Sequence, residues 1–433
     1  MKPQASLAPS SCNAGSLAGR AIKVPWTGRV LEGLLAGLRV GSCTVTWPGG
    51  RTQAYGEAGA QPHADLQVLD WRAAALLLRQ GDIGYAEAYQ RGWIATGDMR
   101  QLFTLAQRNR EALERAVSGR RWALWLRCWV HRVLNDNSRR GSRRNISAHY
   151  DLGNDFYRLW LDEGMTYSAA LFPEGHPEAD AGADLQQLTR AQNSKYDRVL
   201  AQLNAQPGQT VLEIGCGWGG FAERAARAGL KVHGITLSHE QLAWAQARIE
   251  QAGLQDRVTL SLCDYRDVTQ TFDHIVSIEM IEAVGEKHWP TYFSTLRRCL
   301  RPGGHAVIQA IDIGDERYAQ YRAGTDFIQQ YIFPGGMLPS PSRMREQCAA
   351  AGLAVRDALD FGLDYARTLA AWAHAFEAAL PRVRALGYDE RFVRLWRMYL
   401  VYCEVGFRER QIGVKHWTPV SYTHLTLPTK RIV

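Results

Sequence analysis

The sequence predicts an α/β protein built on a doubly wound, mostly parallel sheet, with helical lid insertions and a small N-terminal α+β region. Three observations predict it. Residues 210–214 are β-type and run into Gly215, Gly217, Gly219 and Gly220, after which residues 221–228 read as a helix. Strand, glycine turn and helix open a nucleotide-binding βαβ unit, because the backbone must turn sharply and approach a ligand without a Cβ in the way. Further β-type runs at 231–235, 258–262, 274–278 and 306–310 alternate with helical stretches. Such alternation builds a parallel sheet with ligands at the strand C-terminal ends. Turn signals at Pro207-Gly208 and Arg301-Pro302-Gly303-Gly304 precede the first and fifth of these strands.

Composition bounds the rest. A chain of 433 residues is long enough for two domains and a large core. Hydrophobic content of 46% and charged content of 22% place it among globular proteins. The net charge of +8 favours an anionic partner such as nucleic acid, phospholipid or an acidic substrate. Eight cysteines are scattered without a C-x-x-C pair. This argues free thiols in a reducing compartment and against a disulfide framework or metal site. Residues 1–21 lack the apolar run of a signal peptide and read as disordered. No apolar window of about 18 residues exists, so nothing is expected to span a membrane and the chain reads as cytoplasmic.

Residues 22–111 read as an accessory α+β domain. A hairpin is expected over 43–55, turning at Pro48-Gly49-Gly50, followed by a strand at 66–71. A helix over 71–80 stops at Gly81, and short amphipathic helices follow at 83–90 and 99–108. Across 112–144, Trp122, Trp125 and Trp129 recur at helical spacing among arginines, and Arg139, Arg140, Arg143 and Arg144 follow. A basic aromatic helix beside a polybasic linker suits an anionic membrane surface. A plain helix linking two domains is the alternative.

The region 145–419 carries the chemistry. Gly215, Gly217 and Gly220 satisfy G-x-G-x-x-G, which admits a dinucleotide. The second strand, however, ends in Thr236-Leu237-Ser238-His239-Glu240-Gln241, without the acid that would hold a ribose. A hydroxyl and an amide there can still bond ribose hydroxyls. Glu213 gives E-x-G-x-G instead, and an acid at that strand end can serve the cationic methionine end of S-adenosylmethionine. The third strand ends in Asp264-Tyr265-Arg266. Asp264 can accept from an adenine amino group, or it can cap a helix. A sixth strand is expected at 353–359. Trp372, Phe376, Phe392, Trp396, Tyr399 and Tyr402 then wall an apolar tunnel or form core. Residues 413–419 begin a last strand. Residues 420–433 look like a translated sequencing adapter, expected to cut that strand short.

Four motifs together resemble the cyclopropane-fatty-acyl-phospholipid synthase family: residues 149–157, 212–220, 234–241 and 331–340. The similarity runs over 145–417, and the N-terminal region resembles the extra domain of longer bacterial members. The resemblance implies a Rossmann-like class I S-adenosylmethionine methyltransferase. Such enzymes methylate the cis double bond of an acyl chain in a membrane phospholipid. A carbocation forms, and a bound bicarbonate ion takes the proton that closes the cyclopropane. Matching motif positions imply cofactor contacts at Tyr167, Ser168, Gly215, Gly217, Thr236, Leu237, Gln241, Tyr265 and Arg266. They imply a bicarbonate pocket at Ala169, Glu282, Gln309, Ile311 and Tyr331. Ala169 and Gln309 stand where the family commonly has Cys and His, and Ala283 where many members have His. These departures bear on ring closure and admit a methyl- or methylene-branched product. Cys403 aligns with a cysteine once favoured as nucleophile, but the reaction needs no thiol. The implied partners are unsaturated phospholipids at an anionic membrane surface, with a homodimer left open. No nucleic acid is expected, because the fourth strand is not followed by an N-P-P-Y-type tetrad. A non-catalytic lipid- or cofactor-binding protein is the remaining alternative.

Overall fold

A computed structural model describes residues 23–117, 137–138, 141, 152–173 and 184–421. The expected disordered leader, the Trp122–Trp125–Trp129 stretch, Arg139, Arg140, Arg143, Arg144, His149 and residues 422–433 lie outside the described residues.

Near the N-terminus, β1 (Ser42–Thr46) and β2 (Thr52–Gly56) form the expected antiparallel hairpin. β3 (His63–Val68) joins β1 in parallel, and β4 (Ile94–Ala95) pairs with β3. The helical run Arg72–Gln90 is broken at Gly81, as the sequence predicts, where the backbone is non-helical at φ +56°. Glycine tolerates that conformation, so the chain kinks and resumes the helix. Helix Met99–Arg108 follows, its first turn capped by Asp98 accepting from Gln101 N.

The core of this region is continuous with that of the C-terminal helices. Buried Val45, Trp47 and Phe103 belong to one hydrophobic cluster with Trp372, Trp396 and Phe407. Arg100 forks onto the buried carboxylate of Glu404 at 2.7 and 2.9 Å, and Arg108 onto Glu409 at 2.9 and 2.8 Å. Paired, charge-assisted bonds of this kind fix orientation as well as contact.

The large sheet contains β5 (Thr210–Ile214), β6 (Lys231–Thr236), β7 (Val258–Leu262), β8 (Phe272–Ile278), β9 (Leu300–Ile313), β10 (Ala354–Asp360) and β11 (Ile412–Val420). Their order is β10-β11-β9-β8-β5-β6-β7. β5 to β9 pair in parallel, and β11 lies antiparallel between β9 and β10. This is the expected doubly wound, mostly parallel sheet.

Two expectations are corrected. β9 is a 14-residue strand rather than a five-residue one. Its far end pairs with the start of β11, Ile313 opposite Ile412. Nor is β11 cut short. Val420 pairs with both His305 and Ala354, and Ser421 bonds back to Gly303 and Gly304. Pro419 brings no N–H to the ladder, but the residues beyond it resume the pairing.

The C-terminal helices Gly362–Ala378 and Glu390–Arg408 carry the aromatic series. Trp372, Phe376, Trp396 and Tyr399 are buried. Phe156 meets Trp396 edge-on at 5.1 Å, and Trp160 meets Trp372 at 5.7 Å. Edge-to-face packing of this kind is core construction. None of the six aromatics lines the cofactor-sized pocket described below.

Candidate active site

The pocket opens at the C-terminal ends of β5, β6 and β8, where the strand order reverses on either side of β5. Ligands of open α/β sheets bind at such switch points. About 980 Å³ of space, part of it open to solvent, lies there. Gly215 and Gly217 turn the chain at φ +83° and +51°. A Cβ on Gly220 would stand 2.7 Å from Tyr196 Oη, so helix Gly220–Arg227 can sit this close only with glycine at its start.

Nine of the eleven expected cofactor residues line this pocket: Tyr167, Ser168, Glu213, Gly215, Gly217, Thr236, Leu237, Gln241 and Tyr265. Asp264 and Arg266 do not. Asp264 accepts from Arg266 N at 3.0 Å, capping the turn Tyr265–Asp267, and the Arg266 guanidinium forks onto it at 2.8 and 2.7 Å. The pair orders the loop that presents Tyr265. Thr236 Oγ1 donates to Gln241 Oε1 at 3.0 Å and accepts from Ser238 N at 3.2 Å. That network holds the end of β6 ready for a polar ligand edge.

The electrostatics suit a cationic ligand. Glu213 is almost fully buried, and its Oε2 has no hydrogen-bond partner. Burial holds its pKa well above the usual carboxylate range, against the pull of Lys195 and Arg248. A cation at this spot would restore the ionised form. Lys195 is fully buried, donates to Ser168 Oγ at 2.7 Å, and is pushed down to about 7 by burial, against attraction from Glu279, Asp162 and Glu213. The glycine turn, the ribose-edge hydroxyl and amide, and the unpartnered carboxylate together fit S-adenosylmethionine.

The residues implied for bicarbonate do not fit that ion, because their donors are taken. Ala169 N donates to Glu279 Oε1 at 2.8 Å, and Gln309 Nε2 donates to the same oxygen at 2.7 Å. Ile311 N donates to Glu282 Oε1 at 2.6 Å. Tyr331 Oη donates to Glu87 in the N-terminal region at 3.1 Å. Glu282 Oε2 is buried without a partner, and burial together with the nearby Glu279 pushes this carboxyl up to about 8. Cys403 lies on helix Glu390–Arg408 away from the pocket, and burial pushes its thiol up, which removes the thiolate a nucleophile needs.

Three residues escaped the sequence reading. Glu279 follows β8 and lines the pocket. Tyr365 donates to Glu279 Oε2 at 2.8 Å. His416, on β11, lies 2.8 Å from Gln309 Oε1. Glu279 carried a usable signal, being an acid directly after a strand at the ligand edge. Tyr365 and His416 arrive from the C-terminal elements, and no local pattern marks them.

Comparison with known proteins shows the family of the chain. The sequence model of the mycolic acid cyclopropane synthetase family matches residues 137–417. Tuberculostearic acid methyltransferase UfaA1 of Mycobacterium tuberculosis is 41% identical over 342 residues, covering 78% of this chain and 79% of that protein. The cyclopropane-fatty-acyl-phospholipid synthase of Escherichia coli K12 is 36% identical over 360 residues, covering 82% and 87%. The crystal structure of mycolic acid cyclopropane synthase CmaA1 complexed with SAH and CTAB superposes with a TM-score of 0.58 at 32% identity, covering 64% of this chain and 98% of that one. The chain therefore belongs to the mycolic acid cyclopropane synthetase family and is an S-adenosylmethionine-dependent methyltransferase with the class I fold.

Proposed function

We propose that the chain methylates the cis double bond of an unsaturated acyl chain carried by a membrane phospholipid. The observation that carries this reading is the joining of two features. A pocket suited to a sulfonium cofactor has a carboxylate, Glu279, in its wall, and Tyr167 of the same wall packs onto the aromatic core. The bound cofactor supplies an electrophilic methyl group to an alkene that is otherwise a poor nucleophile. Glu213 orients the cationic end, and Tyr265 offers an apolar face to the base. Tyr167 packs 5.3 Å from Trp372 and 5.5 Å from Tyr157. An apolar backing of this kind excludes the water that would quench a carbocation, and the face of Tyr167 can stabilise positive charge.

Loss of a proton from the new methyl closes a cyclopropane. After a 1,2-hydride shift, loss from that same methyl leaves a methylene branch, and loss from a neighbouring chain carbon leaves a methyl-branched alkene. The branched product is a reading of its own, favoured by the occupied anion site and by the methyltransferase relative at 41% identity. The net charge of +8 and the arginines at 139, 140, 143 and 144 support peripheral, cytoplasmic association with an anionic membrane. Among the described residues no helix is long and apolar enough to cross one.

The test is incubation with methyl-labelled S-adenosylmethionine and anionic vesicles bearing cis-unsaturated chains, followed by NMR of the lipid. Label in a ring or branch carbon of the acyl chain is the expected result. Label absent from lipid but present in added nucleic acid would overturn the reading. NMR is needed because both products add one CH₂ and share a mass.

A further inference from the structure

We propose that Glu279 is the proton acceptor of this reaction, a carboxylate built into the chain where the resemblance implies a diffusible bicarbonate ion. The inference rests on the methyl-transfer reading above and names its base.

Four observations carry it. Glu279 lines the cofactor pocket, beside Tyr167, Ser168 and Met280. Both its oxygens are aimed: Oε1 accepts from Ala169 N and Gln309 Nε2, and Oε2 from Tyr365 Oη at 2.8 Å. A carboxylate with three donors is oriented without being used up, since its two oxygens offer about four acceptor sites. The donors that would cradle a free anion are those already bonded to it, or bonded to Glu282 and Glu87. Finally, Glu279 sits at φ +49°, in the left-handed region that side chains other than Gly and Asn rarely adopt. Its own N–H is pinned to Gln309 O at 2.8 Å. Strain retained at a ligand-facing residue is a mark of function.

The alkene π pair forms a bond to the methyl carbon, and the C–S pair stays on sulfur, giving a neutral thioether. Positive charge passes to the adjacent chain carbon. A C–H bond then breaks, its pair closing the ring or forming a new double bond, and the proton moves to a Glu279 oxygen. Burial raises the pKa of Glu279, which strengthens it as a base, while its three donors and Lys195 favour the ionised form. The proton returns to solvent through the mouth of the pocket after the product has left.

The test compares the parent protein with Glu279→Gln and Glu279→Gly. Methyl transfer to unsaturated vesicles is measured in CO₂-free buffer and with added bicarbonate. Cofactor binding is followed by calorimetry, and bicarbonate binding by line broadening of ¹³C-bicarbonate. The parent should be indifferent to bicarbonate and should not broaden its signal. Both variants should bind cofactor like the parent and turn over at least about 100-fold more slowly, the scale of a lost general base. Glycine accepts the positive φ and frees the Ala169 and Gln309 donors, so Glu279→Gly should bind bicarbonate and recover part of its rate. Glu279→Gln, whose amide still fills the place, should not. A bicarbonate-dependent parent, a parent that binds bicarbonate, or an active Glu279→Gln would overturn the proposal. If the parent methylates no lipid, the methyl-transfer reading fails separately. The bicarbonate-binding comparison then still decides whether Glu279 occupies the anion site.

Discussion

His416 Nε2 lies 2.8 Å from Gln309 Oε1, inside a site to which neither residue was expected to contribute in this way. The imidazole donates, because the amide oxygen can only accept. That contact turns the Gln309 NH₂ group toward Glu279 at 2.7 Å and Ala169 O at 3.3 Å. Burial, aided by Lys195 and Arg198, pushes His416 down to about 3, so it is neutral at any working pH.

His416→Leu keeps an apolar side chain of related size and removes the donor. The Gln309 oxygen is then buried and unpaired, which costs about 1–3 kcal/mol. A lower melting temperature and a lower kcat, with cofactor affinity unchanged, are expected. Thermal unfolding and steady-state kinetics check both. An unchanged kcat would mean that the orientation of Gln309 has no part in turnover.

Glu213→Gln should weaken cofactor binding by about 10-fold or more, equivalent to about 1.4 kcal/mol or more. The parent should also bind S-adenosylmethionine more tightly as pH rises. Glu213 has a raised pKa in the empty pocket, and a bound cation lowers it. Binding therefore expels a proton and weakens as pH falls. Calorimetry in buffers of different ionisation enthalpy reads that proton directly. Proton uptake on binding would contradict the assignment.

Glu282→Gln should act on stability in one pH window. The folded protein holds this carboxyl at about 8 against an ordinary value of 4.5. Between those values the folded state keeps a proton that the unfolded chain has lost. The contribution to stability is full below the ordinary value and is lost as pH rises through about 8. The parent's melting temperature should thus fall more steeply than the variant's between these two pH values. Parallel melting curves would show that Glu282 is not held protonated.

Tyr365→Phe removes the donor on Glu279 Oε2. Without it the ionised carboxylate is less stabilised and its pKa rises further. A base must be deprotonated to act, so the acidic limb of the kcat/KM profile should move to higher pH. The rate on the alkaline plateau should change less. A purely structural role for Tyr365 would lower the rate evenly and leave the limb in place.

The sequence by itself determined the architecture that local chemistry can dictate. The glycine turn after β5 requires positive φ at Gly215 and Gly217, and the residues themselves announce it. The alternation of β-type and helical runs set the parallel sheet, and Glu213, Thr236, Gln241 and Tyr265 could be placed because each lies within a few residues of a strand end. Gly81 was legible as the point where the helical run breaks, because its non-helical backbone is one that glycine adopts.

The tertiary structure alone decided what those positions touch. Asp264 is held by Arg266 two residues away and faces the loop rather than the pocket. Ala169, Glu279, Gln309, Tyr365 and His416 come from five separate stretches of chain. They meet because β11 inserts antiparallel beside β9 and helix Gly362–Ala378 packs against β11. Which carboxylate fills the donors of Ala169 and Gln309 is a matter of distances between residues up to 140 positions apart, exemplified by Gln309 Nε2 and Ala169 O. No periodicity or local motif encodes such distances, because they are fixed only when the whole hydrophobic core closes.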